Sequence, residues 1–429
     1  MFKVLKKNYH WIIAFLAFLE MIVFGGWLNS SNVFIIPISE SLGVSRGSFS
    51  MATIPYTLVC FTGTMVSGHL FRKFGYKRCA IVSLLLAAGS FIITATCSSL
   101  TMYMVSKILF GMAYGSAFTA GAVFLVKNWF FKHQGLVVGA VSMASGLGGS
   151  LMTVVLTNLI ESTNWRLANL IAAGITGVMA LLYLFLKDRP EQMGLRPFGI
   201  DTTPAQKQKA PKNAHNWPGY SFRELLRHPS FYLMTLCTLV SCICIYITSG
   251  VLVPHFQAQG FSAQEAAGMQ STLMLILAVA KLACGGLSDK LGAKAVTVIC
   301  MGCAVIGQFL LSATSDPVLC YVAIIVFSIG MCMTSLIAPL LSAPLFGYRG
   351  CLNANSILLA MCSLASIFSS PISNTCYDLT GSYTPAFRIA SILNCVVLWL
   401  YLLLFVMANA ERKRYFQTHP DEGPPQAGT

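Results

Sequence analysis

Twelve apolar stretches, each about 18 to 25 residues long, shape what this chain of 429 residues can fold into. A helix of that length crosses the hydrocarbon core of a bilayer. Within hydrocarbon every backbone polar group must be hydrogen-bonded inside the segment, and the alternation of a barrel strand is not visible, so the stretches predict helices. They cover residues 11–34, 49–71, 79–97, 102–126, 136–160, 167–186, 231–254, 266–287, 295–313, 318–343, 351–373 and 386–408.

The charged residues exclude a soluble protein and predict the orientation of the helices. They make up 10% of the chain, against about a quarter in soluble proteins. The net charge of +14 could indicate nucleic-acid binding, but most basic residues lie in short loops on one side, and the other side carries Arg46, Arg166 and Arg388. This asymmetry predicts that both termini are cytoplasmic and argues against nucleic acid as a partner. The first apolar run lacks a small-residue cleavage site, so a cleaved signal peptide is not expected.

The two halves of the sequence repeat each other at one constant offset, which needs no gap. The segments 68–78 and 285–295 are identical at five of eleven positions, and the same offset places Gly43 on Gly260. Parallel six-helix halves of this kind are typical of alternating-access transporters. The sequence therefore predicts a six-helix bundle over 1–187, a proline-punctuated cytoplasmic linker over 188–228, a second bundle over 229–410 and a cytoplasmic tail over 411–429.

The fifteen cysteines do not predict a metal centre. Cys300 and Cys303 form a C-x-x-C motif, but it lies within an apolar stretch with no histidine or carboxylate nearby. Cysteine is here expected to serve as a small apolar residue. No metal and no cofactor is expected, and the chain is expected to be a monomer.

Three ionisable residues, Glu20, Lys107 and Lys281, fall well within the apolar stretches. An ionisable side chain at the centre of a membrane helix costs at least roughly 2.5 to 3.5 kcal/mol, so each is a functional hypothesis. Lys281 is flanked on its helical face by small residues, which indicates a face turned to protein rather than to lipid. An ammonium facing a cavity favours an anion, so Lys281 is predicted to bind substrate or a carboxylate.

Glu20 and Lys107 allow more than one interpretation. Glu20 could pair with Lys281, bind the proton of a symport cycle, or be a neutral carboxyl hydrogen-bonded to a neighbouring helix. Lys107 lies near one end of the fourth stretch. It could extend to the membrane surface or take part in function.

The second half contains a motif that resembles the signature of the major facilitator superfamily, G-x-x-x-D-[RK]-x-G-x-[RK]. The resemblance implies that its aspartate helps to hold the cytoplasmic side closed. The first-half copy has Arg72 where the family expects aspartate, so the gating role is assigned to the second copy alone. The matching residues are Gly285, Asp289, Lys290, Gly292 and Lys294.

The stretch from Lys281 to Asp289 also resembles the eighth helix of the oxalate/formate antiporter and monocarboxylate transporter families. In those families an arginine at the position of Lys281 binds the substrate carboxylate. The segment 128–139 resembles their loop-to-helix signature, and Gly25-Gly-Trp27 is similar to the monocarboxylate signature, with Phe24 where an acidic residue belongs. The resemblance also implies a cavity position for Tyr114.

Departures from these families suggest the kind of substrate. Cys362 stands where oxalate carriers have a second lysine, and Leu277 stands where monocarboxylate carriers have a proton-handling aspartate, a role that Glu20 could take. Asn29 occupies an aromatic position of the first helix; with Asn32 it is a candidate for substrate binding. Ser31 occupies a second such position, and one cation together with amide and hydroxyl groups favours a singly charged organic acid, for which a hydroxylated acid is one candidate.

The sequence thus predicts a secondary transporter of the cytoplasmic (inner) membrane rather than an enzyme. The predicted substrate is a small organic anion, most directly a monocarboxylate, moved with a proton by symport or, as the second choice, against an exchanged anion. An efflux carrier for a hydrophobic or zwitterionic compound is the alternative. An enzyme or receptor would need polar clusters in its loops, and the loops are mostly short.

Overall fold

The computed structural model describes residues 9–118, 121, 125–126, 128–130, 134–188, 190–193, 195, 198 and 219–418. Within these ranges the chain is helical nearly throughout. The first half forms eight helices: α1 (Tyr9–Asn29), α2 (Ile35–Leu42), α3 (Arg46–Met51), α4 (Ile54–Phe74), α5 (Tyr76–Thr96), α6 (Leu100–Ala113), α7 (Gln134–Ser162) and α8 (Trp165–Tyr183).

The second half begins with a short helix before its first membrane helix. It comprises α9 (Phe222–Leu225), α10 (Pro229–Ser249), α11 (Leu252–Ala258), α12 (Ala263–Ala313), α13 (Pro317–Met331), α14 (Met333–Phe346), α15 (Tyr348–Thr380) and α16 (Thr384–Thr418). In α12 the backbone bends at Gly292, so this element consists of two successive membrane helices. The predicted fold class, twelve transmembrane helices in two pseudo-symmetric sets of six, is confirmed.

Ten helices in the described part of the chain are long and apolar enough to cross a membrane. The other two predicted spans, 102–126 and 266–287, contain residues or side chains outside that part. The second predicted span, 49–71, overlaps the candidate membrane helix Arg46–Ser67, in which α3 ends at Met51 and α4 starts at Ile54. Pro55 fits the start of α4, since proline lacks an N–H and is tolerated in the first turn of a helix.

The internal repeat is visible in the backbone. Gly75 and Gly292, which the repeat places on each other, have nearly the same dihedral angles, φ 80° and ψ 151° against φ 81° and ψ 156°. Gly43 and Gly260, the other predicted pair, both have positive φ. A positive φ combined with an extended ψ is essentially restricted to glycine. The two halves therefore turn at the same places for the same physical reason.

The repeat extends to a helix cap. Ser45 accepts a hydrogen bond from the backbone N–H of Ser48 at 3.2 Å, and Ser262, its counterpart in the second half, accepts one from Glu265 at 3.2 Å. Glu265 completes a capping box by accepting from the backbone N–H of Ser262 at 2.9 Å. These hydrogen bonds from Ser262 lower the pKa of Glu265.

Two compact units can be distinguished in the chain. Unit 1 comprises 1–203 and 252–275, and unit 2 comprises 204–251 and 276–429. In unit 1, α1 packs on α7, α8 packs on α5, and α6 packs between α4 and α5. In unit 2, α10 packs on α15 and α16, as does α14. The α1–α7 and α10–α15 pairs join equivalent members of the two sets of six.

Asp188 fixes the start of α5 in unit 1. Its carboxylate accepts a hydrogen bond from the backbone N–H of Lys77 at 2.6 Å. A side chain at Gly75 would approach this carboxylate, since a Cβ there would lie 2.6 Å from Asp188 Oδ2. An acidic group at a helix N-terminus satisfies free N–H groups and complements the helix dipole.

Replacing Gly292 by alanine should destabilise the protein. The methyl group meets no atom within 4 Å, so the cost comes from the backbone conformation, about 1 to 3 kcal/mol. Scanning fluorimetry of the purified protein should show a lower unfolding temperature for Gly292→Ala. Gly302→Ala is the control, because Gly302 lies in a helix with equally open surroundings and no positive φ. Equal unfolding temperatures for the two variants would contradict the conclusion that the backbone conformation at residue 292 requires glycine.

Candidate functional site

Glu20 is buried inside unit 1 and accepts hydrogen bonds from two tyrosines. The residue is 1% exposed. The Tyr76 hydroxyl donates to its two oxygens at 3.1 and 3.0 Å, and the Tyr183 hydroxyl also donates to the carboxylate. Helix α1 supplies the acid, while the first residue of α5 and the last residue of α8 supply the hydroxyls. The structure thus brings three helices together at one carboxyl group.

This cluster can accommodate Glu20 with or without a proton. An ionised carboxylate accepts from both hydroxyls, whereas a protonated carboxyl can donate to a tyrosine oxygen, since a phenol both donates and accepts. Sequence reasoning missed Tyr76 and Tyr183 as partners. Their positions at helix ends next to the loops were visible, but nothing in the spacing of the residues linked them to Glu20.

Asn29 and Asn32 lie where α1 ends. The Asn29 side chain donates to the Ser145 carbonyl of α7 at 3.0 Å, and its backbone carbonyl accepts from Gln270 at 3.5 Å. Asn32 lies in the 3-10 turn Ser31–Phe34 and is 6% exposed. Its Oδ1 has no hydrogen-bond donor among the described residues. A buried amide oxygen without a donor is costly, so Asn32 offers an unused acceptor to a ligand.

The contact between α1 and α7 is unusually close. A Cβ at Gly148 would overlap the carbonyl oxygen of Ile22, and one at Gly26 would lie 2.8 Å from the backbone of Gly148. Side chains at these positions would push the helices apart. Small residues in such a contact are typical of membrane helix pairs. The contact holds the end of α1, with Asn29, against α7.

Tyr114 lies at the start of a π-helical segment, Tyr114–Phe118, that follows α6. Its ring centroid is 6.2 Å from that of Phe110 and 6.4 Å from that of Phe118. A π-helical turn inside a membrane helix frequently marks a functional site, because it re-aims side chains and loosens the hydrogen-bond ladder. The sequence had predicted Tyr114 as a cavity residue but not this irregularity.

Lys281 lies in the first half of α12, in unit 2, and is partly buried. The helices α13 and α14 meet at Cys332, whose backbone N–H bonds the Ile329 carbonyl in a 3-10-type turn with helical dihedral angles. The Cys332 thiol lies 4.0 Å from the carbonyl oxygen of Leu277, one turn before Lys281. The repeat places Tyr114 on Met331, so the fourth and tenth spans are irregular at equivalent positions.

The structure describes the gating motif in part. Gly292 makes the bend in α12, and Lys290 and Lys294 are exposed, with Lys294 Nζ 5.9 Å from the ring centroid of Phe405. The side-chain surroundings of Gly285 and Asp289 lie outside the described part of the chain. The role of the motif therefore stays a prediction.

Comparison with known proteins identifies the family. A family model described as Major Facilitator Superfamily matches residues 11–352 and, in a second match, 234–425. The chain belongs to the major facilitator superfamily. Similar superfamily members include "Monocarboxylate transporter 12" of Mus musculus, 24% identical, with 83% of this chain and 76% of the relative covered. The "Galacturonate transporter" of Dickeya chrysanthemi is 26% identical, covering 54% of this chain and 67% of the relative.

Solved structures show the same fold. The nucleoside transporter NupG superimposes with a TM-score of 0.72 over 93% of this chain and 99% of its own, at 14% identity. Family and fold make this chain a multi-pass membrane protein and point to a transporter rather than an enzyme. The expected resemblance to the major facilitator superfamily is confirmed, and relatives named as monocarboxylate transporters accompany it.

Removing the Tyr183 hydroxyl should destabilise unit 1 of this superfamily member. Tyr183→Phe takes one of two donors from a buried carboxylate, and a hydrogen bond to a charged group contributes about 1.5 to 3 kcal/mol. Thermal unfolding of the purified protein should begin at a lower temperature. Tyr232→Phe is the matched control, because its hydroxyl bonds the Leu226 carbonyl at an exposed position. If both variants melt alike, the hydroxyl of Tyr183 is not stabilising Glu20.

Proposed function

We propose that this protein is a secondary transporter of a small organic anion, most directly a monocarboxylate. The observation that carries the proposal is Lys281, a cation in the membrane-embedded part of α12 near the junction of α13 and α14. A charge in this position is costly unless it serves a ligand or a partner. A carboxylate substrate supplies the opposite charge.

The junction of α13 and α14 lies close to Lys281, which supports a binding site in unit 2. Cys332 lies at this junction, and its thiol is near the carbonyl of Leu277, one turn before Lys281. Lysine provides a point charge rather than a bidentate fork, which fits a single carboxylate.

The orphaned acceptor of Asn32 supports a substrate that also carries hydroxyl groups. A hydroxyl can donate to the buried Asn32 Oδ1, which has no donor among the described residues. Two superfamily relatives bear the names of a monocarboxylate and a galacturonate transporter, and galacturonate is a hydroxylated carboxylate. These names favour the same class of substrate for this chain. Asn29 and Tyr114 complete the proposed set of binding residues.

The proposed setting is the cytoplasmic (inner) membrane, with both termini in the cytoplasm as the distribution of basic residues indicates. Transport proceeds by alternating access of the two six-helix halves in a monomer. The motif from Gly285 to Lys294, with Asp289, keeps the cytoplasmic side closed in one state.

Proton symport is the proposed coupling, and Glu20 is the proposed proton carrier. The hydroxyls of Tyr76 and Tyr183 can stabilise this carboxyl in both protonation states, which a reversible proton carrier requires. Anion exchange is the second candidate for coupling. It needs no titrating group, and in that case Glu20 is a structural carboxyl joining three helices.

Neutralising Lys281 should strongly reduce uptake of the transported acid. Lys281→Gln removes the charge that attracts the carboxylate, so uptake of labelled acid into proteoliposomes should fall at least tenfold. A tenfold loss corresponds to about 1.4 kcal/mol of binding free energy. Lys281→Arg keeps the charge and should retain more activity. Monodisperse purified protein and equal reconstitution are the controls. Unchanged uptake by Lys281→Gln would overturn the carboxylate-binding role.

Replacing Glu20 separates the two coupling modes. Glu20→Gln keeps a hydrogen-bonding group for the tyrosines but cannot carry a proton. Uptake driven by a pH gradient should be lost, whereas counterflow exchange of labelled against unlabelled acid should persist. Equal loss of both modes would show that Glu20 is structural or binds substrate.

The alternative function, efflux of a hydrophobic or zwitterionic compound, gives a different substrate profile. A panel of lactate, pyruvate, formate, oxalate and galacturonate should show saturable uptake for at least one acid if the proposal holds. Transport confined to neutral or zwitterionic compounds would favour the efflux carrier.

A further inference from the structure

Lys107 is the embedded charge of unit 1 for which the proposed transport cycle has no role. It lies on α6, which starts at Leu100, so it is two turns, about 10 Å, inside this helix. Its Nζ is 5.0 Å from the ring centroid of Tyr103 and 5.9 Å from that of Phe110. Tyr103 is one turn closer to the start of α6, and Phe110 is one turn farther from it.

The Lys107 ammonium lies against two aromatic side chains, and the residue is partly buried. Aromatic faces attract a cation by roughly 0.5 to 2 kcal/mol, but they leave its full charge uncompensated.

Among the described residues of unit 1, no carboxylate lies within ion-pair distance of Lys107. Glu20 is bonded to tyrosines, Asp188 caps α5, and Glu265 is in a capping box. The other described acids of this unit are exposed; they are Glu40, Glu161 and Glu191. The described residues of unit 1 therefore supply no counter-charge to this ammonium, which leaves it available to an anion.

The surroundings of Lys107 also define the rest of that ligand. Phe110 continues the aromatic surface to three further rings, with centroid distances of 5.8 Å to Tyr56, 5.3 Å to Phe91 and 6.2 Å to Tyr114. Phe110 and Phe91 are buried, whereas Tyr56 and Tyr114 are half-buried, so a group attached to an anion at the ammonium would meet these two tyrosines. Aromatic rings contribute by stacking as well as by apolar burial.

We propose that Lys107 is an anion-binding residue of unit 1 and that its site takes a carboxylate attached to an aromatic or other apolar group. The site rests on organic-anion transport as the function and extends the substrate class to acids with a ring. Tyr103 and Phe110 position the ammonium, and the half-buried rings of Tyr56 and Tyr114 contact the apolar part of the acid.

The test uses the full chain with benzoate as the probe and benzamide, its uncharged analogue of the same shape, as the matched ligand. Binding is measured by calorimetry in nanodiscs, in a Lys281→Gln background, so that Lys281 contributes no charge. This chain should still bind benzoate more tightly than benzamide. Adding Lys107→Met should lower the affinity for benzoate at least tenfold, which is the minimum for the loss of a charge-assisted hydrogen bond. The affinity for benzamide should not change. Adding Lys107→Arg instead should preserve most of the preference.

A control on the same helix is Met104→Leu, which alters an apolar neighbour and should not change the affinity for either ligand. Lys107→Gln gives the same readout if the methionine variant is not monodisperse. The proposal is overturned if Lys107→Met leaves benzoate affinity unchanged, or if the Lys281→Gln chain shows no preference for benzoate over benzamide. Wild-type protein that transports no organic acid would refute the proposed function, while the binding data would still decide the role of Lys107.

Discussion

Hydrocarbon offers no water to a polar group, and the described structure follows from that constraint. Backbone groups are satisfied by running the chain as helices, and the buried carboxyl of Glu20 is satisfied by hydroxyls from two other helices. Glycine lets α1 and α7 approach until backbones touch, which places Asn29 against Ser145. Among the described residues few buried side-chain polar atoms lack a hydrogen-bond partner, and Asn32 Oδ1 is one of them.

The two halves share their backbone turns but not their membrane-embedded charged residues. The glycine turns and the serine cap recur in the second half with matching geometry. The embedded charges do not recur: Glu20 corresponds to Cys237, Lys107 to Ile324 and Lys281 to Thr64. Both halves need the same turns because they share one architecture. A charged side chain in the membrane is costly, so it is expected only at positions where it has a function.

Sequence reasoning predicted the helices well because a span of apolar residues has one stable form in lipid. It predicted the paired glycines, since their spacing repeats. It could not predict Tyr76 and Tyr183 as partners of Glu20, because contacts between distant helices leave no periodic trace in one sequence. The π-helical segment Tyr114–Phe118 was missed for a related reason: nothing in the spacing of the residues distinguishes it from an ordinary helix.

Segment 252–275 belongs to unit 1, although it follows the linker in the chain. Its helix α11 packs on the turn Ser31–Phe34, and Ser271 bonds Ser150 at 2.6 Å. During synthesis the first six spans therefore leave the ribosome before the residues that complete their packing exist. The turn Ser31–Phe34 and Ser150 therefore gain these contacts only after the chain has been synthesised as far as Ser271.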